Sequence, residues 1–351
     1  MKKNLSPHIL PAWHFSTALL SLLLMLFVPL GCADDDEAES GRATVKMIFT
    51  TRASAQADGQ TQLADRERMH TLRVIMQNAQ TGKILYNVFY DNLQNVTQKV
   101  ITFQDVLVEN QEGTFFNFYA IANEASFLTV GESLEGKDIK LKELYERNIA
   151  IDFNAEDNKN LHLPQAMMNQ KLIKPVKETQ THTIQLEYPV AKVCVHFTNE
   201  IEAEQTVRNI IIPGLVAAAG GKLFPQKSNA AAKEIPPIVG SDASDISFAP
   251  NPLAVSAGKY GGPLGTGEVT PLYVYPAQHS EKKYQLTANW PDETAEKSVN
   301  LNANGSLNEG ISRGMQLNIG IALKYGVMQL SGLTVTVDNW NTATPIYPEF
   351  Q

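Results

Sequence analysis

Short runs in which apolar and polar residues alternate follow one another along most of this chain of 351 residues. The run that begins near residue 44 places Val45, Met47 and Phe49 on one face, because successive side chains of an extended strand point to opposite sides. Turn-forming residues separate the runs, and only the segment 138–146 has a helical pattern, with Asp138 as the expected N-cap. The sequence therefore predicts an all-β fold of packed sandwiches with a minor helix.

Strands are predicted from this alternation and from enrichment in β-branched and aromatic residues. Beyond the first strand they are expected at 70–77, 83–90, 99–107, 114–122, 181–186, 189–197, 208–212, 272–275, 283–290, 298–301, 316–323 and 333–337. The turn-like residues 78–82 should join two neighbouring strands as a hairpin. Loops are predicted at Leu163–Met168, and at 216–245 and 250–267, which are rich in Ala, Gly, Pro and Ser.

The predicted strands fall into two sets that meet near residue 188. They give an N-terminal β-sandwich domain at 43–187 and a C-terminal β-sandwich domain at 188–351 that ends in the last predicted strand. The chain has 2 Cys residues, so no disulfide framework is expected. Cys194 lies within an apolar strand and is predicted to be a small core residue.

The first 31 residues have the pattern of an export signal. Lys2 and Lys3 form a positive start, and the apolar run at 18–30 is short for a membrane-spanning helix. The run ends in Gly31 followed by Cys32, an arrangement that resembles a bacterial lipobox, in which the Cys becomes the lipidated, palmitate-bearing first residue of the mature protein. The alternative is an ordinary signal peptide followed by an incidental Cys.

An acidic run at 33–39 follows directly, within the segment 32–42. So many carboxylates beside a lipid anchor cannot pack, and the segment is predicted to be a solvated tether. The run also resembles the acidic tag that directs lipoproteins of the Bacteroidetes group to the outer face of the outer membrane. A purely hydrophilic spacer is the alternative interpretation.

Composition and motifs exclude several classes of function. The net charge of -8 and the sequence pI of about 5.5 argue against a nucleic-acid partner, which would require a basic face. The 7 His residues show no metal-ligand spacing, and His162 and His182 are interpreted as separate surface or strand residues rather than a convergent pair. No catalytic or cofactor-binding motif is present, so we expect no enzyme activity, no cofactor and no metal.

The two ends of the mature chain carry matching patterns. The first strand is followed at once by a small, polar stretch containing Arg52, which is expected to be exposed and sensitive to proteases. Near the C-terminus, Leu333, Val335 and Val337 lie on one face of an alternating strand, with the same spacing as the apolar residues of the first strand.

Several segments in this order resemble the Bacteroidales fimbrillins, the FimA/Mfa-like subunits of type V pili. They are the lipobox at Cys32, the strand that leads to Arg52, the segments 103–106 and 118–123, Leu163–Met167, Pro189–Val193, Ile311–Asn318 and Leu333–Trp340. The resemblance implies two transthyretin-like β-sandwich domains in tandem.

The resemblance also implies a mechanism of assembly. A precursor anchored by lipid at the outer membrane is cut by an arginine-specific protease after its first strand, here after Arg52; three other arginines, Arg42, Arg66 and Arg68, are alternative cut sites. Loss of the first strand, with Val45, Met47 and Phe49, opens a groove. The C-terminal donor strand of an incoming subunit, with Leu333, Val335 and Val337, then fills it.

The sequence therefore indicates a structural subunit of a cell-surface fimbria, with other fimbrial subunits as partners and a host or bacterial surface ligand for adhesion. The alternative is a monomeric surface lipoprotein that binds glycan or host protein. Four aromatic residues are candidates for stacking on sugars in that case, although such residues in strands more often belong to the core: Tyr273, Tyr275, Trp290 and Trp340.

Overall fold

The computed structural model describes residues 41–51, 63–94, 96–213, 220–226, 238–239, 246–279, 281, 284–303 and 305–336. Its strands are β1 (Arg42–Thr50), β2 (Leu72–Asn78), β3 (Ile84–Tyr90), β4 (Gln98–Leu107), β5 (Thr114–Ala122), β6 (Asn148–Ile149), β7 (Gln165–Ile173), β8 (Gln180–Gln185), β9 (Ala191–Asn199), β10 (Gln205–Ile212), β11 (Gly221–Lys222), β12 (Ile238–Val239), β13 (Ile246–Ser247), β14 (Leu253–Val255), β15 (Gly265–Glu268), β16 (Leu272–Val274), β17 (Gln278–His279), β18 (Gln285–Asn289), β19 (Glu296–Asn300), β20 (Gln316–Lys324) and β21 (Val327–Thr336).

Helical structure is limited to short segments in the described residues. They are the α-helix α1 (Leu141–Tyr145) and single 3₁₀ turns at Asp65–Glu67, Glu124–Ser126 and Glu156–Asn158. The prediction of an all-β fold with a minor helix is therefore confirmed. None of the described helices has the length and apolar character that a membrane crossing requires.

Two sheets form the N-terminal part of the fold. One has the strand order β4-β1-β8 and the other the order β3-β2-β5-β7, which includes the predicted β2–β3 hairpin. Alternate residues of β1 and β5, among them Met47, Phe49, Phe116 and Phe118, belong to one buried cluster between these sheets. The period-2 pattern of each strand thus supplies one apolar face to a common core.

Two larger sheets form the C-terminal part. One has the order β15-β9-β20-β21, with β16 also paired to β9, and the other has the order β13-β10-β18-β19, with β14 paired to β10. Their buried cluster includes Val195, Ile319 and Trp290. Cys194 is buried and is not in a disulfide, as expected, and its burial raises the pKa of the thiol.

A third buried cluster joins residues from both parts of the chain. It brings Tyr119 of β5 and Leu144 of α1 together with Phe224 and Tyr275. Strands β6 and β11 also pair across the two parts. The domain division at residue 188 falls between β8 and β9, and it stays a prediction.

The structure corrects three local predictions. The helix α1 begins after Lys140, not at Asp138, and no side chain caps it. Its position follows from the burial of one face rather than from a cap. Most of Leu163–Met168 is not a loop but the start of β7, whose first four residues are all buried and so lack the alternation that identifies a half-exposed strand. The segment 250–267 contains β14 and most of β15 and is not a continuous loop.

Candidate functional site

Strand β1 lies at the centre of its three-stranded sheet. It pairs antiparallel with β4 along its whole length, and parallel with β8 from Val45 to Thr50. In the described part of the chain, neither β4 nor β8 has another strand partner in this sheet. Strand β1 therefore supplies the backbone hydrogen bonds that join β4 and β8 into one sheet.

The inward side chains of β1 are completely buried. Val45, Met47 and Phe49 each have 0% of their surface exposed, and they pack in the cluster that contains Phe103 and Phe118. Burying three such side chains is worth about 5–8 kcal/mol before entropy costs are subtracted. The three residues thus lie on one apolar face of the first strand, as the alternation predicted, and this face is part of the core.

Removal of β1 would expose a groove with defined chemistry. The backbone groups of β4 and β8 that face β1 would lose their partners, and unpaired strand edges accept another strand readily. The floor of the groove would be the apolar side chains that now contact Val45, Met47 and Phe49. An occupant would therefore need an extended backbone and apolar side chains at every second position.

Strand β1 ends at Thr50, and the structure describes one further residue, Thr51, before a gap at 52–62. The amide of Thr51 donates a hydrogen bond to the carbonyl of Thr97 at 2.8 Å. Arg52, the predicted cut site, lies outside the described residues, and so does Cys32, the predicted lipidation site.

Two polar residues, His182 on β8 and Lys171 on β7, lie near each other on the β8 side of the groove. His182 stands opposite Met47 in the parallel register, and its Nε2 atom is buried without a hydrogen-bond partner in the described structure. Burial lowers the pKa of His182, and the nearby Lys171 on β7 lowers it further. Burial also lowers the pKa of Lys171 itself. The arrangement favours a neutral imidazole at this edge of the sandwich.

The predicted donor strand is part of β21. Leu333 pairs with Ile319 of β20, and Val335 pairs with Leu317. Leu333 is partly buried against the C-terminal core. Strand β21 is the last strand of its sheet and pairs only with β20 among the described residues, whereas Val337 lies beyond them.

The aromatic residues considered for sugar stacking belong to the interior. Tyr273, Tyr275 and Trp290 are 5%, 1% and 1% exposed, while Trp340 lies outside the described residues. The hydroxyl of Tyr275 donates to the carbonyl of Ile151 at 3.2 Å, and burial raises the pKa of Tyr275 to about 12. The three described side chains therefore have no free face to offer a ligand.

Sequence reasoning missed a buried polar hub where the two parts of the chain meet. Glu67, only 2% exposed, forms an ion pair with Lys192 at 2.7 Å and accepts a hydrogen bond from the Tyr273 hydroxyl at 2.7 Å. Its other carboxylate oxygen accepts the amide of Ala64 at 2.8 Å. Burial raises the pKa of Tyr273, and the charge of Glu67 raises it further. No spacing in the sequence links Glu67 to residues more than a hundred positions away, so only the fold reveals the contact.

His162 and His182 were not expected to converge, and the structure does not bring them together, but His162 is not an isolated residue. His162 stacks on His70, with ring centroids 3.4 Å apart and an angle of 11° between the planes, and both lie near Asp65. Burial lowers the pKa of His162, and the neighbouring His70 lowers it further. His182 lies on β8. The partner of His162 is therefore His70, which no sequence pattern had indicated.

Comparison with known proteins gives matches at the level of structure. The chain is similar to the tip fimbrial protein Mfa3 from Porphyromonas gingivalis with C-terminal truncation, at 13% identity, with 84% of this chain and 99% of that chain covered and a TM-score of 0.50. It also matches a fimbrilin (fimA) from Porphyromonas gingivalis W83, at 11% identity, with 84% and 97% covered and a TM-score of 0.49. The fimbrial anchor protein Mfa2 from Porphyromonas gingivalis matches at 11% identity, with 85% and 98% covered and a TM-score of 0.40.

No protein-family model and no curated protein matches the chain. The match to Mfa3 establishes a shared fold. It establishes no more than the fold, because at this low sequence identity only the arrangement of the strands can be compared.

Proposed function

We propose that this chain is a non-enzymatic subunit of a cell-surface fimbria, built from two sandwich domains at 43–187 and 188–351 and assembled by exchange of strand β1 for the C-terminal strand of another subunit. The observation that carries the proposal is the position of β1, which fills a groove between two strands that have no other partner in its sheet among the described residues. The shared fold with a tip fimbrial protein supports the same class of function.

Proteolysis is the proposed trigger, and the contacts of two of the alternative arginines, Arg42 and Arg66, favour a cut at Arg52 instead. Arg42 is the first residue of β1 and is paired within the sheet. Arg66 donates from Nη2 to the carbonyl oxygens of Phe153 at 3.1 Å and Asn158 at 3.3 Å. A protease needs an extended, accessible segment, and these contacts disfavour a cut at either residue. Arg52 lies two residues beyond the end of β1 in the sequence, so a cut there would separate the strand from the rest of the chain.

The donor in this proposal carries Leu333, Val335 and Val337. Their spacing matches that of the three buried residues of β1, so the donor can place one apolar side chain in each vacated position. Strand β21 would first detach from β20, which is its one strand partner in the part of the chain that the structure describes. Because donor and acceptor are different surfaces, each addition leaves a new acceptor, and the assembly grows as a filament rather than closing.

Export and anchoring complete the proposal. The precursor is held at the cell outer membrane by lipid on Cys32 and is surface-exposed until an arginine-specific protease releases β1. Its partners are then other fimbrial subunits and, for the finished fimbria, a ligand on a host or bacterial surface. A Cys32→Ala change is expected to release the precursor from the membrane fraction, and unchanged acylation and retention would refute the role of Cys32.

The direct test is controlled cleavage of the purified precursor that begins at Ala33. An arginine-specific protease should give a new N-terminus at Ala53, measured by mass spectrometry, and a ladder of heat-sensitive oligomers on an unboiled denaturing gel. Arg52→Lys should remain uncut and monomeric. The matched control Arg42→Lys, which keeps the charge at the other end of β1, should behave like the unchanged chain.

The outcomes separate the steps of the proposal. A ladder that forms without any cut would refute proteolysis as the trigger. A clean cut after Arg52 that leaves only monomer, in the presence of added uncut chain as donor, would refute strand exchange between copies of this subunit.

A further inference from the structure

Two imidazoles and a carboxylate converge beside the 3₁₀ turn that precedes β2. The Nε2 atom of His70 lies 3.6 Å from Oδ2 of Asp65, and Nε2 of His162 lies 3.9 Å from the same oxygen. All three potential ligand atoms lie within 4.8 Å of one another. The backbone carbonyl oxygen of Asp65 is a fourth potential ligand atom nearby, 3.0 Å from Nε2 of His70.

These separations suit a single divalent ion. Ligands about 2.0–2.2 Å from a tetrahedral zinc ion lie roughly 3.3–3.6 Å from one another. The two distances to Oδ2 of Asp65, 3.6 and 3.9 Å, lie at and just above the upper end of this range, so a small inward movement of the side chains would complete the site. The donor set of two imidazoles and one carboxylate is typical of zinc and other late first-row metals, and not of calcium or magnesium, which take mainly oxygen ligands.

The backbone fixes each ligand in place. The amide of His70 donates to Oδ1 of Asn123 at 2.9 Å, and the amide of Leu163, next to His162, donates to the carbonyl of Arg66 at 2.7 Å. The ligands therefore come from three points that the fold already holds together, which reduces the entropy cost of binding.

Binding requires one adjustment of the side chains. The two rings are nearly parallel, and both lone pairs can aim at one ion only if a ring tilts out of the stack. The His162 side chain is 38% exposed and has room to do so, and the 63% exposed carboxylate of Asp65 leaves the site open to entry from solvent. Arg66, a neighbouring cation, directs its guanidinium towards Phe153 and over the ring of Tyr273.

We propose that Asp65, His70 and His162 form a binding site for a divalent transition metal of the zinc class, completed by solvent or by the Asp65 carbonyl. The ion would join the segment that enters β2 to the segment that enters β7. It would thereby strengthen the N-terminal part of the fold at a place separate from the β1 groove.

The test is zinc binding to the full chain, purified in detergent without a histidine tag. Calorimetric titration with Zn²⁺ should show one ion per chain, and the thermal midpoint should rise with zinc concentration, since a ligand that binds only the folded state stabilises it. His162→Gln and the conservative Asp65→Asn should each weaken binding by at least about 10-fold, because even the loss of an outer partner of a metal ligand has that effect. The matched control His196→Gln, on β9, should bind zinc normally.

Both variants are checked for folding by their thermal midpoints without metal, where they should resemble the unchanged chain. Asp65→Asn keeps the shape of an exposed side chain, so its loss of zinc affinity would report the lost carboxylate. Absence of zinc binding in the unchanged chain would overturn the proposal. Equal binding by His162→Gln and the unchanged chain would also overturn it, because the ion would then lie elsewhere.

Discussion

Strands β1 and β21 are similar in sequence pattern and opposite in position. Each alternates apolar and polar residues, but β1 is an inner strand held on both sides, whereas β21 is an edge strand that pairs only with β20 in the described residues. The inward residues of β1 are fully buried, while Val327 at the start of β21 is 52% exposed and Leu333 is only partly buried.

This difference indicates the direction of a strand exchange. Loss of an inner strand leaves two unpaired edges and exposes the core, so binding of another strand in its place is strongly favoured. Loss of an edge strand leaves one new edge and uncovers less apolar surface. Under the proposed function, removal of β1 therefore creates the acceptor groove. The C-terminal strand is the donor, because a subunit can lose it from the edge of a sheet and remain folded.

The largest expected effect comes from deletion of Leu333–Gln351. We expect a folded, exported chain that is cut normally but cannot extend a fibre, because it has an acceptor groove and no donor. Fibre length in electron micrographs and the oligomer ladder on unboiled gels measure this. Normal fibres from the truncated chain would contradict the assignment of the donor to this end.

Single substitutions sharpen the contrast between the two strands. Phe49→Ala should lower the free energy of unfolding by about 3–5 kcal/mol, as for a large buried aromatic residue. Leu333→Ala should cost about 1–2 kcal/mol, less than a fully buried leucine, because its side chain is only partly covered. Urea unfolding of both variants measures this, with Lys46→Ala on the outer face of β1 as control. An equal cost at the two positions would show that β21 is held as firmly as β1.

A smaller effect is expected from pH at the β8 side of the groove. The pKa of His182 in the folded chain lies below the usual 6.5 because burial and Lys171 disfavour the charged imidazole. The unfolded chain thus binds a proton here at higher pH than the folded chain does, so the free energy of unfolding should fall as the pH drops through 6.5 towards the folded pKa.

His182→Gln tests this pH dependence, because it keeps a polar side chain without a titrating group. Urea unfolding between about pH 7.5 and pH 5 should show a smaller loss of stability for the variant than for the unchanged chain. Lys171 lowers the pKa of His182 further than burial alone does, so Lys171→Gln should also reduce the loss. An unchanged pH dependence in both variants would show that this pair does not titrate as described.

The sequence predicted those parts of the fold in which local pattern and final environment agree. In β1 the alternation matches a strand with one buried face, and the pattern identified Val45, Met47 and Phe49 correctly as one face. The start of β7 lacks that alternation because it is buried on both faces. The sequence pattern at Gln165 and Met167 therefore predicted a loop where the structure has a strand. A sequence read alone has no way to recognise burial that is supplied by distant segments.

The same reason explains the polar sites that were missed. Glu67 meets Lys192 and Tyr273 only because the two parts of the chain pack together. Likewise His70 and His162 are separated by five strands, β2 to β6, and meet through tertiary structure. Their residue types carried no spacing signal, whereas the groove around β1 could be inferred because each strand encodes its own periodicity.

The most direct measurement is to lock β1 in its groove. Lys46 and Thr102 are partners on β1 and β4 and lie outside the core, and neighbouring antiparallel strands bring Cα atoms to about 4.5–5.5 Å, within the range of a disulfide. The double variant Lys46→Cys/Thr102→Cys should be cut after Arg52 yet stay monomeric while oxidised, and it should form the heat-sensitive ladder once the disulfide is reduced. A ladder of equal strength with the disulfide intact would contradict the central claim that β1 must leave its groove for subunits to assemble.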